Sequence, residues 1–379
     1  MRVLAITTVK NEGAFLIDWL AWHRWLGFTD FLVFSNDCTD GTDRMLDRLQ
    51  AMGWLRHLPN PGPWKEGPQW AALKRAATDP LTVGADWVMV LDVDEYLTIH
   101  TGGGQIADLI AARPDANGFA LTWRVFGNGG AVAFEDRPVP LRFTRAAPRV
   151  MGWPWRAAMI KTLYRNDGTW GKPGVHRPRS PDPERLDAVR WVDGSGRDLP
   201  ASFVRGRIFS DYGQDNYALA QVCHFPLGSM QDFALKSARG RANRDAEMFD
   251  LSYFVERNLC QDSDLSLANR FPACAPMRAE LRADPALAAL HQEAAGWRRT
   301  RFAELMADDR WRSFFGQMLM AGPSRPLDGA ETAFMARAFR SEPLEPLPPD
   351  RPLAETMGER PSLCRSGAGE ACARGRGGP

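Results

Sequence analysis

Two aspartates one residue apart, Asp92 and Asp94, follow the apolar run Trp87-Val88-Met89-Val90-Leu91. Such a run, with β-branched and aromatic residues, is typical of a short buried strand. In an extended or turning segment, side chains two positions apart project to the same side. Open α/β sheets bind their ligands at the carboxyl ends of strands, and carboxylates with phosphate oxygens bind hard divalent cations. The sequence therefore predicts a metal–diphosphate site at this position.

A regular alternation of apolar strands and amphipathic helices leads up to the two aspartates. The sequence predicts strands at residues 3–9, 31–34, 54–58 and 87–91, and helices at residues 15–26, 43–52 and 69–78. Gly27 is well placed to end the first helix. Because parallel strands need crossover helices, this alternation predicts a parallel α/β sheet with right-handed connections. The aspartates then lie at the end of the fourth strand.

The pattern is weaker after the three glycines at residues 102–104. It predicts a helix at residues 106–112, strands at residues 119–125, 139–143 and 159–164, long loops at residues 166–215, and helices at residues 230–320. The last of these strands is expected to be antiparallel. Residues 341–379 are rich first in proline and then in glycine, arginine and alanine, and we expect them to be disordered because they cannot bury enough apolar surface.

Composition excludes several classes of protein. The chain has 379 residues, 44% of them hydrophobic, and a formal net charge of +1, which gives no overall attraction to nucleic acid or anionic membranes. No apolar run reaches the roughly 18 residues that span a bilayer, and the N-terminus does not resemble a secretory signal. The six cysteines form no CxxC pair, as expected for reduced thiols. We therefore predict a cytoplasmic protein with at most peripheral membrane contact.

The pair of aspartates alone allows three interpretations. In metal-dependent sugar transfer from a nucleotide sugar, the cation neutralises the leaving diphosphate. In a phosphohydrolase with an aspartate nucleophile, the motif usually lies on the first strand with Thr or Val two residues on, whereas here it lies on the fourth, and Tyr96 follows Glu95. In the third interpretation the carboxylates only cap a turn.

Four segments, in order, resemble a bacterial family of glycosyltransferase family 2-like proteins. They are Thr7-Thr8-Val9-Lys10-Asn11-Glu12, residues 19–27, residues 36–42, and Leu91-Asp92-Val93-Asp94-Glu95-Tyr96. This chain departs from the family's pattern at Asp18, Trp22, Cys38 and Tyr96. The resemblance implies the GT-A fold (an α/β, Rossmann-like mixed sheet), a nucleotide-sugar donor with UDP favoured, and Mn²⁺ or Mg²⁺.

The resemblance also implies which residues bind the donor and the metal. The donor-binding residues are Thr8, Asn11 and Glu12 near the nucleoside, Asn36 and Asp37 near the base or ribose, Lys74 near the nucleotide or diphosphate, and Asp92. The metal ligands are Asp92, Asp94 as the principal one, and His224. The alternative for Lys74 is a solvated helix lysine, and for His224 a core histidine bonded to the backbone.

A later segment, residues 222–241, resembles another block of the same family. Its Lys236, Arg239 and Arg241 either face the diphosphate or solvate a helix. His176 and the turn Gly127-Asn128-Gly129-Gly130 are expected on the acceptor side. An inverting transferase needs a carboxylate base within reach of the acceptor hydroxyl. Asp136, Asp211 and Asp215 are available for this role, and the sequence does not choose between them.

The implied organisation is a GT-A catalytic domain at residues 1–228, a helical extension at residues 229–340 and the tail. Within the catalytic domain, residues 1–100 form the nucleotide-binding half and residues 101–228 the acceptor half. The implied activity is transfer of a hexose or related sugar, with inversion, to a saccharide, glycoconjugate or other hydroxyl acceptor in surface polysaccharide or glycoconjugate synthesis. The alternatives are a metal-dependent phosphohydrolase and a non-catalytic carbohydrate-binding protein.

Overall fold

The computed structural model describes residues 1–211, 213–239 and 249–340. The chain divides into two compact units, Met1–Asp328 and Gly329–Pro379. The described part of the second unit is one helix. Within the described ranges, no helix combines the length and the apolar character needed to cross a membrane.

The first unit contains the strands and most of the helices. The strands are β1 (Val3–Val9), β2 (Asp30–Ser35), β3 (Arg56–Pro59), β4 (Trp87–Val90), β5 (Glu95–Ile99), β6 (Gly118–Val125), β7 (Arg145–Ala146), β8 (Ile160–Arg165), β9 (Trp170–Lys172), β10 (Arg179–Pro181), β11 (Trp191–Asp193), β12 (Ala220–His224) and β13 (Asp262–Ser263). The helices are α1 (Gly13–Leu26), α2 (Thr42–Ala51), α3 (Pro68–Ala76), α4 (Pro80–Val83), α5 (Ile106–Ala112), α6 (Val139–Arg142), α7 (Ala201–Gly206), α8 (Met230–Ala238), α9 (Leu251–Arg257), α10 (Ser266–Arg270), α11 (Ala275–Ala283), α12 (Pro285–Leu305) and α13 (Asp309–Ala321), with α14 (Gly329–Phe339) in the second unit. Short 3-10 helices lie at Trp155–Ala158, Pro183–Ala188 and Phe271–Cys274.

The central sheet is mixed. In the part of the chain that the structure describes, its strand order is β3-β2-β1-β4-β8-β6-β12-β5, with β11 also paired to β6. Strands β1 to β4 are parallel, whereas β8 runs antiparallel between β4 and β6. The predicted α/β fold, the fourth strand and the antiparallel strand near residue 160 are therefore confirmed.

Both faces of the sheet are covered at its centre, which explains why β1 and β4 are almost continuously apolar. Along β1, Val3 and Ala5 pack into one hydrophobic cluster, and Leu4 and Ile6 into another. Helices α1, α2, α11 and α12 pack together on the side of the first cluster. Helix α3, α7 and the β9–β10 hairpin contribute to the second.

Helix α1 fixes the chain just after β4. The indole Nε1 of Trp19 donates to the backbone oxygen of Glu95 (2.9 Å), and that of Trp22 to the oxygen of Leu97 (2.8 Å). His23 Nδ1 lies 2.9 Å from the Trp19 oxygen, and its Nε2 accepts from the Leu97 N–H (3.3 Å). Three polar groups on one buried helix thus hold the start of β5 in place.

Two expectations about the second half need correction. Residues 139–143, predicted as a strand, contain the short helix α6 instead. Pro140 lacks the N–H that a strand ladder needs but is well accommodated in a first helical turn. The predicted loops at residues 166–215 contain β9, β10, β11 and α7, which are too short to leave a periodic pattern. The division at residue 228 stays a prediction, and the predicted tail lies outside the described residues.

Candidate functional site

The Asp92–Asp94 turn links the centre of the sheet to its edge strand. The Asp92 N–H donates to Glu95 Oε2 (2.9 Å), and the Glu95 N–H donates back to the Asp92 oxygen (3.0 Å). These reciprocal bonds make the turn rigid. Its two aspartates then meet different partners.

Asp92, whose side chain is 34% exposed, borders a cluster built around a buried lysine from β8. Its Oδ2 accepts from Lys161 Nζ (3.0 Å) and its Oδ1 from Gln69 Nε2 of α3 (3.2 Å). Lys161 and Glu95 are fully buried, and Lys161 Nζ also lies 3.0 Å from Glu95 Oε2. Lys161 reaches this point because β8 runs antiparallel to β4, so that its first residues lie beside the end of β4.

The charges of this cluster balance one another. Burial works to lower the pKa of Lys161, but Asp92 and Glu95 overcome this effect and raise the pKa, so the ammonium remains charged. Burial raises the pKa of Glu95 to about 8, opposed by Lys161. Lys161 is therefore held as a buried cation between the carboxyl groups of Asp92 and Glu95.

Asp94 faces the opposite way, towards α8 and the end of β12. Its Oδ2 lies 2.7 Å from Lys236 Nζ and 3.7 Å from His224 Nε2. Burial acts to raise the pKa of Asp94, but Lys236 and His224 outweigh it and hold the pKa well below its usual range. Burial lowers the pKa of His224, so its imidazole is neutral at pH 7. The His224 ring packs 4.2 Å from the Trp123 ring, and within the described residues its Nδ1 has no partner.

A second ion pair lies in the same cavity. Arg239, just after α8, donates to Glu12 Oε1 (2.5 Å) and to the backbone oxygen of Lys10. Lys236 and Arg239 are three residues apart and so project from the same side of the helix. The residues lining this cavity include Asn11, Glu12, Phe15, Asp94, Phe143, Phe225, Lys236 and Arg239.

Helix α8 is itself firmly held. Ser229 and Asp232 form a capping box at its first turn, with Ser229 Oγ accepting from the Asp232 N–H. Asp232 also accepts from Arg298 of α12 (2.7 Å), and both side chains are buried. The two cations of α8 are therefore presented to the cavity from a fixed support.

Loops after the first strands meet at the same edge of the sheet. Asn11, at φ 58°, accepts from the Thr39 N–H (2.7 Å). Asn36 is buried, and its Oδ1 accepts from Asn60 Nδ2 (2.7 Å). Asp37 is exposed beside these loops. The predicted nucleoside-binding side chains thus lie on connected loops at the carboxyl edge.

Other predicted residues have different surroundings. Thr8 is half-buried near the end of β1, and Lys74 is exposed on α3. His176 Nδ1 lies 3.0 Å from the Ile160 oxygen. Asn128 Oδ1 accepts from the Gly130 N–H within its own turn (3.0 Å). Arg241 lies outside the described residues.

The three predicted base candidates do not line the cavity beside Asp94. Asp136 pairs with His291 (2.9 Å), Asp211 with Arg207 (2.9 Å) and Asp215 with Arg149 (2.8 Å). Each of the three carboxylates is instead directed to a basic side chain of its own. Among the residues lining the cavity, Glu135 is a carboxylate whose side chain is 51% exposed.

Sequence reasoning missed Lys161 and Gln69. Lys161 interrupts the otherwise apolar Met159-Ile160 and Leu163-Tyr164 run. A lysine within a buried strand needs a carboxylate partner, so the sequence could have predicted that Lys161 lies beside an acidic residue. Nothing in the sequence around Gln69 distinguishes it from a surface glutamine.

The side chains present fit a divalent cation in part. Asp94 and His224 offer a carboxylate oxygen and a neutral imidazole nitrogen to the same point. Both Asp92 oxygens accept hydrogen bonds. The described ranges hold no group of three or more His, Cys, Asp or Glu side chains placed to bind a metal. Two protein ligands suffice for Mg²⁺ when substrate phosphates supply others.

The sequence matches no family model but is similar to several curated proteins. A glycosyltransferase family 92 protein of Ricinus communis is 26% identical over 155 residues, which are 38% of this chain and 26% of that protein. Another, of Oryza sativa subsp. japonica, is 24% identical over 144 residues, which are 36% of this chain and 24% of that protein. The chain thus spans about a quarter of the length of these relatives.

Solved structures give weaker likenesses. S. aureus TarS 1-349 in complex with UDP has a TM-score of 0.28 and 18% identity, covering 44% of this chain and 47% of that one. Glucosyl-3-phosphoglycerate synthase from Mycobacterium tuberculosis, in complex with Mg²⁺ and UDP, has a TM-score of 0.26 and 16% identity. The match covers 44% of this chain and 57% of that one. The curated relatives are plant family 92 proteins rather than bacterial family 2-like ones, and over 38% of its length this chain is similar to a protein named as a glycosyltransferase.

Proposed function

We propose that this protein is a glycosyltransferase that transfers a sugar from a nucleotide-diphosphate donor to a hydroxyl acceptor. The observation that carries the proposal is the cavity at the end of β1 and β4. There Lys236 and Arg239, both from one end of α8, pair with Asp94 and Glu12. The similarity to proteins named as glycosyltransferases supports the same assignment.

The donor is proposed to lie along the carboxyl edge of the sheet. Thr8, Asn11, Asn36 and Asp37 are polar groups on the first two strands and their loops, where amide and carboxylate groups can pair with a base such as uracil. A UDP-sugar is therefore our favoured donor. Lys74 is exposed on α3, and its contact with the donor stays a prediction.

Lys236 and Arg239 are proposed to bind the diphosphate. Both are partly accessible, with side chains 16% and 22% exposed, and both already lie beside carboxylates that a phosphate oxygen can replace as partner. Fixed cations near the leaving diphosphate stabilise the negative charge that develops there in the transition state.

A divalent cation, Mn²⁺ or Mg²⁺, is proposed to bind Asp94 and His224. When bound, it would neutralise charge on the leaving diphosphate. The low pKa of Asp94 and the neutral state of His224 keep both groups ready to act as ligands at pH 7. Asp92, held by Lys161 and Gln69, is proposed to orient the turn as well as to approach the donor.

Transfer is proposed to proceed with inversion, to a saccharide or glycoconjugate acceptor, in surface polysaccharide or glycoconjugate synthesis. Inversion requires a carboxylate base near the acceptor hydroxyl. Glu135 joins Asp136, Asp211 and Asp215 as a candidate because it lines the cavity. The described cysteines, Cys38, Cys223, Cys260 and Cys274, are free, which supports a cytoplasmic site of action.

The test is calorimetric binding of UDP with and without Mn²⁺, followed by a hydrolysis assay over common nucleotide sugars. We expect Mn²⁺ to strengthen UDP binding in the wild type, and Asp94→Asn to remove both this enhancement and donor hydrolysis. The matched control is Asp309→Asn, the same change at a side chain that is 94% exposed on α13.

The alternatives predict different results. A phosphohydrolase would release phosphate from an aryl phosphate, and a non-catalytic carbohydrate-binding protein would bind saccharide equally with Asn at position 94. Absence of binding by UDP, GDP and the other nucleoside diphosphates, with or without metal, would contradict the proposal.

A further inference from the structure

A second cavity, the basic cleft, lies beside α3 and the β9–β10 hairpin. Its volume is about 420 Å³, within the range of pockets that bind small organic molecules. Its chemically distinctive lining residues are Trp70, Trp170, Lys172, Arg177, Arg179 and Arg205. All of its lining residues are described, and none of them is a carboxylate.

Arg177 is a buried cation without a carboxylate partner in the described part of the chain. Its side chain donates only to backbone oxygens, those of Phe203, Val204 and Arg207, and the residue is 7% exposed. Burial and the neighbouring Arg179 lower the pKa of Arg177 to about 10, so it still carries its charge at pH 7. A buried charge compensated only by dipoles favours the approach of an anion.

The exposed cations of the basic cleft are also free of ion pairs within the described ranges. Lys172, Arg179 and Arg205 are exposed, and none lies within ion-pair distance of a described carboxylate. The Arg179 guanidinium stacks 4.4 Å from the centre of the Trp70 ring, which fixes its position. Four cations and no carboxylate in one concave surface concentrate a positive field that attracts anions.

The size and aromatic content of the basic cleft exclude a bare inorganic ion as its best ligand. A cavity of about 420 Å³ is several times larger than one phosphate. The two tryptophans give it apolar surface beside the cations, as suits the C–H face of a sugar ring. A ring that carries an anionic group meets both requirements.

The basic cleft adjoins the turn that carries Asp92 and Asp94. His176 lines the cleft, its ring lies 5.5 Å from that of Trp123, and Trp123 in turn packs on His224. On the other wall, Trp70 follows Gln69, whose side chain bonds Asp92. The basic cleft is therefore linked to the candidate site through His176 on one wall and Trp70 on the other.

We propose that the basic cleft binds an anionic saccharide, a sugar bearing a carboxylate or a phosphate, as the acceptor. The assignment as acceptor rests on the proposed glycosyltransferase function, whereas binding to the cleft does not. Arg177, Arg179, Arg205 and Lys172 provide the charge, and the tryptophans contact the ring.

The experiment is calorimetric titration of the full chain, without nucleotide or metal, at low salt. The probes are a glucuronate disaccharide, its neutral glucose counterpart, glucose 6-phosphate and inorganic phosphate. The test variant is Arg179→Gln/Arg205→Gln. The matched control is Arg165→Gln, an exposed arginine at the other end of β8, about 17 Å along the strand from Ile160.

We expect at least one of the two anionic sugars to bind about tenfold more tightly than both glucose and inorganic phosphate. The double variant should lose about tenfold in that affinity, and Arg165→Gln should match the wild type. Comparing the two anionic sugars identifies whether carboxylate or phosphate is preferred. UDP binding, measured in parallel, separates this inference from the proposed function.

Three results would overturn the inference. They are equal affinity for the anionic and neutral sugars, equal affinity for glucose 6-phosphate and inorganic phosphate with no glucuronate binding, and unchanged affinity in the double variant. Circular dichroism and thermal melting of each variant ensure that a lost affinity is not lost folding. If the sugars bind as expected and UDP does not, the cleft stands and the donor assignment fails.

Discussion

The two aspartates of one short turn have opposite kinds of surroundings. On the Asp92 side, Asp92 itself is 34% exposed, but Lys161 and Glu95 are fully buried and the lysine pairs with both carboxyl groups. On the Asp94 side, the side chains of Asp94, Lys236 and Arg239 are 28%, 16% and 22% exposed and line a cavity. A cation that solvent cannot reach supports the fold, whereas cations that border a cavity can exchange a carboxylate partner for a ligand.

This contrast teaches that identical residue types in one motif can have separate roles. The Asp92 side joins β4, β5, α3 and β8, all elements of the sheet and its cover. The Asp94 side joins the turn to β12 and α8, which come more than a hundred residues later. We therefore expect mutations on the first side to change stability and mutations on the second to change ligand binding and turnover.

The largest effect is expected from Lys161→Met. This change leaves the fully buried Glu95 and the partly exposed Asp92 without their cation, and breaking a buried pair costs about 3–5 kcal/mol in the free energy of unfolding. Chemical denaturation monitored by circular dichroism measures this loss. Adding Glu95→Leu should restore part of it, because no unpaired buried glutamate then remains. Wild-type stability in Lys161→Met would show that the cluster does not support the fold.

Asp94→Asn should have the next largest effect, on turnover rather than stability. Removing the ionised group beside Lys236 and His224 is expected to lower kcat of donor hydrolysis by about 10²- to 10³-fold, or about 3–4 kcal/mol. The free energy of unfolding should change by less than about 1 kcal/mol, because the site is partly solvated. Stopped assays with saturating donor and a parallel denaturation curve provide both numbers. A large stability loss with intact turnover would reverse the assigned roles.

The pH dependence of stability tests the role of His23, the buried histidine of α1 that accepts from the Leu97 N–H of β5. Burial lowers the pKa of His23 to about 3, so the folded protein keeps it neutral, while the unfolded chain protonates it below about pH 6.5. Its contribution is therefore fully present above pH 6.5 and is lost as the pH falls towards 3. Between pH 7 and pH 5 this loss amounts to about 2 kcal/mol.

His23→Gln isolates this contribution from those of other histidines. The difference in unfolding free energy between wild type and variant should shrink by about 2 kcal/mol from pH 7 to pH 5. Denaturation curves at both values give the comparison. A pH-independent difference would mean that the folded state accepts the proton at His23.

The sequence was sufficient for the first half of the fold and for one side of the site. Continuous apolar runs and the helices between them predict β1, β2 and β4, because both faces of those strands are buried. The acidic turn was visible as a motif. His224, expected from a resemblance, does lie beside Asp94, although its role stays a prediction.

The remainder depends on contacts that local patterns do not encode. Lys161 meets Asp92 only because β8 enters the sheet antiparallel between β4 and β6. The basic cleft depends on the pairing of β9 with β10, two strands of three residues each, in a region that reads as loop. Residues 139–143 show the same limit locally. Their apolar pattern predicted a strand, but a proline favours the short helix α6 there.

Lys236→Gln should give the smallest of these effects. It tests directly whether the Asp94 side of the turn binds a ligand and the Asp92 side does not. Lys236 Nζ bonds both Asp94 and the Pro226 oxygen, and glutamine retains a donor for one of them, so the fold should be kept. Loss of the charge should weaken UDP binding about tenfold, or about 1.4 kcal/mol, when measured by calorimetry without metal. Arg165→Gln serves again as the exposed control. Unchanged UDP affinity in Lys236→Gln would mean that this ion pair, like that of Lys161, only supports the fold, and that the two sides of the turn do not differ in kind.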